Sequence, residues 1–144
     1  MGSDLPTVKV SVNIVTFNSA RDIVECLRSI DRQTFRDFRV RIFDNDSKDN
    51  TIERIAPFAI DVVRSPVNTG FAKAHNALAR SLASEFVLFL NPDTVLRPDF
   101  IGELVSHLAA RPEAASAGGK LLRMDGRTLD STGIIMLRNQ RHLD

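Results

Sequence analysis

Carboxylates and carboxamides recur in four short segments of the sequence, each placed directly after an apolar stretch. The segments are 16–18 (Thr-Phe-Asn), 44–49 (Asp-Asn-Asp-Ser-Lys-Asp), 68–70 (Asn-Thr-Gly) and 91–94 (Asn-Pro-Asp-Thr). A carboxylate accepts hydrogen bonds and a carboxamide both donates and accepts them, which suits a pyrimidine imide edge and ribose hydroxyls. Asp93 could hold a divalent cation between two phosphates, because Mg²⁺ takes one or two carboxylates and completes its shell with water and phosphate oxygens. The residue types therefore indicate binding of a nucleoside diphosphate.

Each segment alone also has an ordinary structural explanation. Asn18 and Ser19 would turn the chain and cap a helix, and 44–50 would be a solvated turn. Asn68–Gly70 has common turn composition, and Pro92 would simply stop a strand. A shared ligand becomes the better explanation only if all four segments meet at one place in the fold.

The elements that must position these segments alternate between strand and helix. Apolar residues at every second position predict strands over Val8–Ile14 and Phe38–Phe43, followed by a short strand over 61–64. The wholly apolar run 86–90 predicts a central parallel strand covered on both faces. Helical periodicity predicts helices after Ser19, where Ser19 and Asp22 have capping-box spacing, and over 51–56, 71–83 and 100–108.

The order β-α-β-α-β-α-β-α-β predicts an α/β fold with a mostly parallel sheet and helices on both faces. Asp125-Gly126 predicts a closing β-hairpin with strands near 114–124 and 128–136. Residues 1–7 are expected to be a leader or tag remnant, and 8–144 a single domain. Ligands of open α/β sheets bind outside the carboxyl ends of the strands, so the four polar segments are expected to converge there.

Composition excludes several classes of protein. A formal net charge of +1, from 19 basic and 18 acidic residues, provides neither a basic field for nucleic acid nor a polybasic membrane anchor. The longest apolar run, 86–90, is far shorter than the ~20 residues of a transmembrane helix. The single cysteine, Cys26, suits a reducing cytosol, so a cytoplasmic location is expected, with peripheral attachment at the inner face of the membrane as the alternative.

Taken in order and spacing, the four segments resemble the family 2 glycosyltransferases, which have the GT-A fold with its Rossmann-like nucleotide-binding half. The matching pieces are Val12–Asn18, Phe43–Asp49, Asn68–Asn76 and Leu88–Thr94. The motifs N-x-G-F-A and L-N-P-D-T are most similar to those of the rhamnosyltransferase-like branch, whose members take part in polysaccharide biosynthesis. The resemblance implies a UDP- or dTDP-sugar donor, bound with Mg²⁺ or Mn²⁺.

Specific roles also follow from the resemblance. The residues implied to contact the nucleoside are Thr16, Asn18, Asp44 and Asn68, with Asn76 nearby. Asp93 corresponds to the last Asp of the family's D-x-D metal motif. Asn91 stands where many relatives have the first Asp, so Asp93 would hold the cation without that second carboxylate. Phe17 replaces a common Tyr.

Inverting members of the family place a general base, usually in an acidic pair, in a second half that also holds the acceptor site. That base is expected beyond residue 144, so the chain would be a donor-binding portion, truncated at its C-terminus and inactive by itself. The acceptor would be a saccharide or a lipid-linked saccharide. A sheet that ends early exposes a strand edge and apolar surface, which predicts a homodimer.

Two other functions stay open at this point. A sugar-nucleotidyltransferase would share a related architecture, but such enzymes usually carry a glycine-rich, basic loop after the first strand. Segment 16–20 contains neither glycine nor a cationic residue. A non-catalytic nucleotide-binding or assembly module is the second alternative, because it requires the donor site and no general base.

Overall fold

The computed structural model describes residues 8–131, 135–136 and 142–143. The backbone forms two compact units, one that ends at Asp99 and one that begins at Phe100. Every residue that the sequence singles out for donor or cation binding belongs to the first unit. The single domain expected over 8–144 stays a prediction.

Four strands and three helices make up the described part of the first unit. They are β1 (Val8–Thr16), α1 (Ile23–Asp31), β2 (Phe38–Asp44), α2 (Thr51–Ile55), β3 (Asp61–Arg64), α3 (Phe71–Arg80) and β4 (Ser84–Leu90). The strands form one sheet in the order β3-β2-β1-β4, and every neighbouring pair is parallel. The predicted α/β class with a parallel sheet is confirmed.

The strand register brings the carboxyl ends of all four strands to one edge. Thr16 pairs with Asp44, and Ile14 pairs with Leu90. On the other side of β2, Asp44 pairs with Arg64. The loops that follow the strands therefore start side by side, as the alternation of elements predicted.

Helices cover both faces of the sheet because apolar side chains alternate along β1 and β2. On one face, α3 contributes to a buried cluster of Val15, Phe43, Ala74 and Leu78. On the other face, Leu27 and Ile30 of α1 lie along Phe38 and Val40 of β2. Each aliphatic side chain buried in this way contributes about 1.5–3 kcal/mol, so the two helices fix the sheet that carries the loops.

The prediction that 86–90 is a central strand covered on both faces is wrong for this unit. β4 lies at the edge of the sheet and pairs only with β1 among the described residues. Phe89 is 57% exposed, because α3 packs chiefly on β1 and β2 and covers that face of β4 only in part, where His75 meets the Phe89 ring. A wholly apolar strand is thus compatible with an edge position.

The predicted capping box at Ser19 is also wrong. Helix α1 begins at Ile23 with Asp22 in the N-cap position, and no side chain caps it. The Ser19 hydroxyl instead accepts a hydrogen bond from the backbone N–H of Phe17 at 3.2 Å. Ser19 therefore shapes the loop after β1 rather than the start of the helix.

The second unit contains α4 (Phe100–Ala109) and four short strands: β5 (Leu121–Leu122), β6 (Leu129–Ser131), β7 (Ile135–Met136) and β8 (His142–Leu143). β5 and β6 pair antiparallel, as do β7 and β8.

The predicted turn at Asp125-Gly126 is confirmed. Gly126 has φ +68°, and the Asp125 carboxylate accepts hydrogen bonds from the backbone of Arg127 and Thr128. The strands are shorter than predicted, and 132–134 of the returning strand lies outside the described residues. None of the helices in the described residues has the length and apolarity required to cross a bilayer.

Candidate functional site

A cleft of about 420 Å³ opens at the carboxyl ends of the strands in the first unit. Its lining residues are Val15, Phe17, Asn18, Ser19, Asp22, Asn45, Asn68, Phe71, Asn91, Pro92 and Asp93. The loops after all four strands contribute to it. Of the residues singled out in the sequence, Asn18, Asn68 and Asp93 meet in this one cleft.

Asp44 and Thr16 lie beneath the cleft rather than in its lining. Both are buried, and the Thr16 hydroxyl donates a hydrogen bond to Asp44 Oδ1 at 3.0 Å. The backbone N–H of Ser47 donates to the other carboxylate oxygen, Oδ2, at 3.2 Å. With both oxygens occupied, the Asp44 carboxylate supports the loop that follows β2.

Asn45, which belongs to the polar segment 44–49 but received no role of its own from the sequence, borders the cleft, although it is as buried as Asp44. Its Nδ2 donates a hydrogen bond of 2.9 Å to Asn68 Oδ1. Its Oδ1 accepts hydrogen bonds from the backbone N–H of Thr69 at 2.7 Å and from the Thr69 hydroxyl at 3.2 Å. This network fixes which way the amide of Asn45 points.

The side-chain oxygen of Asn68 is also engaged within the protein. Besides the hydrogen bond from Asn45, Asn68 Oδ1 accepts one from the backbone N–H of Gly70 at 2.9 Å. A carboxamide nitrogen has two hydrogens. Asn45 Nδ2 uses one of them on Asn68, and Asn68 Nδ2 has no hydrogen-bond partner within the part of the chain that the structure describes. Both oxygens are thus engaged within the protein. Asn68 is exposed and keeps free N–H groups at the cleft, whereas Asn45 is buried at 2% exposure and orients Asn68 from behind.

Asn18 connects the loop after β1 to the loop after β2. Its backbone N–H donates to the Ser47 hydroxyl at 2.9 Å, and its Oδ1 accepts from the Lys48 N–H at 2.8 Å. Asn18 has φ +50°, a left-handed conformation that asparagine tolerates better than most residues. Its amide nitrogen has no hydrogen-bond partner among the described residues and stays available at the cleft.

A second connection between the same two loops passes through Asp49. Its Oδ1 accepts from the hydroxyl and the N–H of Thr51, and its Oδ2 accepts from the N–H of Ala20 at 3.1 Å. The Thr51 hydroxyl in turn accepts from the N–H of Ser19 at 2.8 Å. The hydrogen bond from the Thr51 side chain is the largest cause that lowers the pKa of Asp49 below its ordinary value.

Two exposed aromatic rings contribute to the cleft. Phe17 is 50% exposed and Phe71 is 57% exposed, although both line the cleft. Each lies on a different loop, Phe17 after β1 and Phe71 at the first residue of α3. Exposed rings in a polar cleft offer surfaces on which a planar base can stack.

Asn76 lies outside this set. It is exposed on α3, whose buried side consists of Ala74, His75 and Leu78. Helical geometry turns Asn76 away from that side, and it is not among the residues that line the cleft.

Asp93 is exposed at the far wall of the cleft, together with Asn91 and Asp22. Among the described residues, no hydrogen bond or ion pair reaches the Asp93 carboxylate. The charged residues in the lining are Asp22 and Asp93, so the cleft itself is acidic. The described residues contain no group of three His, Cys, Asp or Glu side chains that could hold a metal ion alone.

The segment that carries Asp93 is fastened to α1 and to the turn that follows this helix. The Ser29 hydroxyl accepts from the Leu96 N–H at 3.0 Å, and Gln33 Nε2 donates to the Arg97 carbonyl at 2.7 Å. The Cys26 thiol donates a weak hydrogen bond to the Asn91 carbonyl at 3.7 Å. Burial, followed by the negative charge of Asp93, raises the pKa of the Cys26 thiol to about 12, so it stays protonated at neutral pH.

A second cavity, of about 290 Å³, lies at the amino end of β2 and β3. Its walls include Leu27, Phe38 and Phe58, with Arg39 and Asp61 paired at 2.5 Å. None of the residues singled out in the sequence lines it. The cleft at the carboxyl ends of the strands is therefore the candidate site.

The chain is similar to proteins of one enzyme class. It is 26% identical over 89 residues to the UDP-Glc:alpha-D-GlcNAc-diphosphoundecaprenol beta-1,3-glucosyltransferase WfgD of Escherichia coli, covering 60% of this chain and 35% of that protein. Among solved structures, TarS (1-349) of Staphylococcus aureus in complex with UDP-GlcNAc superposes with a TM-score of 0.67 at 26% identity. That match covers 72% of this chain and 32% of TarS (1-349).

The mannosyltransferase PcManGT of Pyrobaculum calidifontis, in complex with GDP-Man and Mn²⁺, also superposes with a TM-score of 0.67 at 26% identity, covering 71% of this chain and 32% of that one. The chain spans about a third of the length of each of these three proteins. Residues 11–142 match the sequence pattern of Glycosyl transferase family 2. The chain belongs to Glycosyl transferase family 2.

Proposed function

We propose that the first unit binds a nucleoside-diphosphate sugar in the 420 Å³ cleft, as the donor site of a glycosyltransferase. The observation that carries this proposal is that four asparagines, the unpaired carboxylate of Asp93 and two exposed aromatic rings line a single cleft. TarS, a member of the same structural class, has been captured with UDP-GlcNAc. A uridine nucleotide is the donor that this resemblance favours, and a dTDP-sugar presents the same imide edge.

The nucleoside would be recognised by the asparagine wall, which consists of Asn18, Asn45 and Asn68. Asn68 is exposed and oriented by Asn45, and its N–H groups suit the carbonyl oxygens of uracil or thymine. Asn18 supplies a second exposed amide from the loop after β1. Thr16 and Asp44 would act through the loop they support, and Phe17 or Phe71 would stack on the base.

The diphosphate would be bound next to Asp93. The cleft lining has no Lys or Arg, so a diphosphate needs a cation to offset the charge of Asp22 and Asp93. Oxygen donors of this kind suit Mg²⁺ or Mn²⁺, with phosphate and water oxygens completing the shell. Asp93 would hold the ion, with Asn91 and Asp22 within the same lining, and PcManGT provides a precedent with Mn²⁺.

Bound in this way, the cation would stabilise the negative charge that develops on the departing diphosphate. Helices α1 and α3 also begin at the cleft, since Asp22 and Phe71 both line it. Helix N-termini carry partial positive charge from their free N–H groups, which favours a bound phosphate.

The proposed reaction is transfer of the sugar with inversion. The acceptor hydroxyl attacks the anomeric carbon, the bond to the diphosphate breaks, and a general base takes the hydroxyl proton. We assign that base to none of the described residues. A saccharide or lipid-linked acceptor is proposed, and WfgD, whose name specifies a diphosphoundecaprenol-linked sugar, supports the lipid-linked class.

The rhamnosyltransferase-like branch stays a prediction, and the glucosyl and N-acetylglucosaminyl donors of WfgD and TarS favour a UDP-hexose instead. A non-catalytic nucleotide-binding module is the alternative function. It would share the donor cleft, so binding alone does not separate it from a transferase.

Calorimetric titration with UDP-GlcNAc, UDP, dTDP and GDP, each with Mn²⁺ and with EDTA, tests the donor site. We expect the uridine or thymidine nucleotides to bind with Mn²⁺ and more weakly with EDTA. Lack of binding by every pyrimidine nucleotide would refute the donor site. Binding without sugar release or transfer to any saccharide or lipid-linked acceptor would favour the non-catalytic module.

A further inference from the structure

His75 is a buried imidazole without a polar partner. Its side chain lies on α3 and is 3% exposed. In the described part of the molecule, neither Nδ1 nor Nε2 has a hydrogen-bond partner. Buried polar groups in proteins are nearly always hydrogen-bonded, so this position requires an explanation.

The imidazole lies between two aromatic rings that both reach the surface. The Phe71 ring stands edge-on to it, with centroids 4.3 Å apart and an interplanar angle of 69°. The Phe89 ring of β4 lies 5.2 Å away at 85°. Phe71 lines the cleft and is one of the two rings proposed to stack on the base, so His75 packs directly against a side chain of the proposed donor site.

No charged side chain of the neighbouring described elements forms a hydrogen bond or an ion pair with the buried His75 imidazole. Those on α3 and on the strands of the sheet beside it are Lys9, Arg39, Arg41, Asp44, Lys73, Arg80 and Glu85. Lys9 pairs with Glu85 at 2.5 Å, Arg39 pairs with Asp61, and Arg41 donates to Ser81. Asp44 is bonded to Thr16 and Ser47, while Lys73 and Arg80 are exposed.

The neutral form of His75 is thus the one that fits the site. Burial alone lowers the pKa of His75 below its ordinary value of 6.5. A protonated imidazole has two N–H donors, and leaving both without acceptors in a buried position is unfavourable. The charged ring would have to move toward water, and Phe71 packs directly against it.

We propose that His75 is a positioning residue for the donor cleft: it holds Phe71 in place while neutral, and its protonation weakens binding of the nucleotide. The inference rests on the proposed donor site. It makes donor affinity sensitive to mild acidity through a residue that need not touch the donor.

The affinity for UDP-GlcNAc with Mn²⁺, compared at pH 7.5 and pH 5.5, tests this proposal. A nucleotide sugar is used because a terminal phosphate titrates near pH 6 and would obscure the effect, whereas UDP-GlcNAc has none. We expect wild-type affinity to fall between these pH values by about tenfold at most, because the ordinary histidine pKa is about one unit above 5.5 and burial lowers the pKa of His75 below it.

In the variants His75→Phe and His75→Leu, the affinity for UDP-GlcNAc should be nearly the same at pH 7.5 and at pH 5.5. This should hold whatever their affinity at pH 7.5 is. Two replacements are used because the phenylalanine ring is larger than the buried imidazole and leucine has no ring, and circular dichroism identifies a variant that fails to fold. The control His107→Gln alters an exposed histidine of α4 and should keep the wild-type ratio of affinities between the two pH values. Equal pH dependence in wild type and both variants would overturn the proposal.

Failure of the donor site itself has a different signature. If wild type binds no nucleotide sugar at pH 7.5, the proposed function fails, and His75 is then judged by NMR. In protein labelled at phenylalanine and histidine, the Phe71 ring resonances should shift together with the titration of His75. Phe71 resonances that stay constant through that titration would refute the coupling.

Discussion

The amide nitrogen of Asn45 donates a hydrogen bond of 2.9 Å to the amide oxygen of Asn68, which joins the loops after β2 and β3. Thr69 holds the oxygen of Asn45, and Gly70 donates to that of Asn68. Both oxygens are therefore engaged within the protein. Asn68 is exposed and keeps its N–H groups for a ligand, while the buried Asn45 sets its orientation. Recognition of the base would depend on this pair as a unit.

Asn45→Ala should weaken nucleotide binding by about 1–2 kcal/mol, roughly 5- to 30-fold, because it removes the hydrogen bond that orients Asn68 and frees Asn68 to rotate. Calorimetric titration with UDP measures the change. Asn50→Ala is the matched control, since Asn50 is exposed, lies on the same connection and makes no side-chain cap bond to α2. Equal affinities of Asn45→Ala and the control would contradict the role of Asn45.

Asp44→Ala should lower stability as well as binding. It leaves the buried Thr16 hydroxyl and the Ser47 N–H without an acceptor, which costs about 1–3 kcal/mol of unfolding free energy. Urea denaturation followed by circular dichroism measures this loss. Glu53→Ala, at an exposed position of α2, should change stability little. An unfolding free energy equal to that of wild type would show that the Thr16–Asp44 bond is dispensable.

The convergence of the four loops could be predicted from the sequence because it depends only on the order of strands and helices. The distinction between Asp44 and Asn45 could not. Successive side chains of a strand point to opposite sides, so the exact residue at which β2 ends decides which one meets the cleft. That end is Asp44, and the pattern of apolar residues does not locate a strand end to within one residue.

The edge position of β4 could not be predicted from the sequence for a similar reason. A run of apolar residues indicates a buried strand, but it does not show which strands lie beside it. In the structure, α3 packs chiefly on β1 and β2 rather than on β4. Asn76 illustrates the same limit on a helix. Its motif suggests a place near the nucleoside, the packing of Ala74 and Leu78 leaves it exposed, and its contact with the nucleoside stays a prediction.

Asp93→Ala should abolish the gain in nucleotide affinity that Mn²⁺ provides, because Asp93 is the carboxylate proposed to hold the cation. In wild type we expect that gain to be at least about tenfold, or 1.4 kcal/mol. Titration of UDP with Mn²⁺ and with EDTA measures it in each protein. Asp99→Ala removes a nearby exposed carboxylate and should leave the gain intact. A Mn²⁺ effect that survives in Asp93→Ala would assign the ion to other ligands.

Asp49→Asn should lower the melting temperature at pH 7, since the charged carboxylate accepts from Thr51 and Ala20. The folded-state pKa of Asp49 is lowered. Its stabilisation is therefore present above the unfolded value of about 3.9 and is lost as pH falls through the folded value. The difference in melting temperature between wild type and Asp49→Asn should become smaller from pH 7 to pH 3 in thermal scans. Asp31→Asn serves as the exposed control, and a difference that stays constant with pH would contradict this assignment.

Self-association is expected through the outer edge of β4, which has no strand partner among the described residues. Light scattering at tens of micromolar should give about twice the chain mass of 16.0 kDa. Val87→Lys places a charge on the exposed face of this strand and should shift the mass toward the monomer. A wild-type mass of one chain would refute the expected homodimer.

The hydrogen bonds that hold Asp93 differ from those that hold the asparagine wall. Ser29 and Gln33 anchor the segment of Asp93 from one side of the fold, whereas Ser47, Asp49 and Thr69 tie the other loops to each other. Mutation of one anchor set would leave the hydrogen bonds of the other set in place. Under the proposed function, base preference and cation requirement would then be free to change separately during evolution, so a descendant of this chain could exchange its nucleotide and keep its cation.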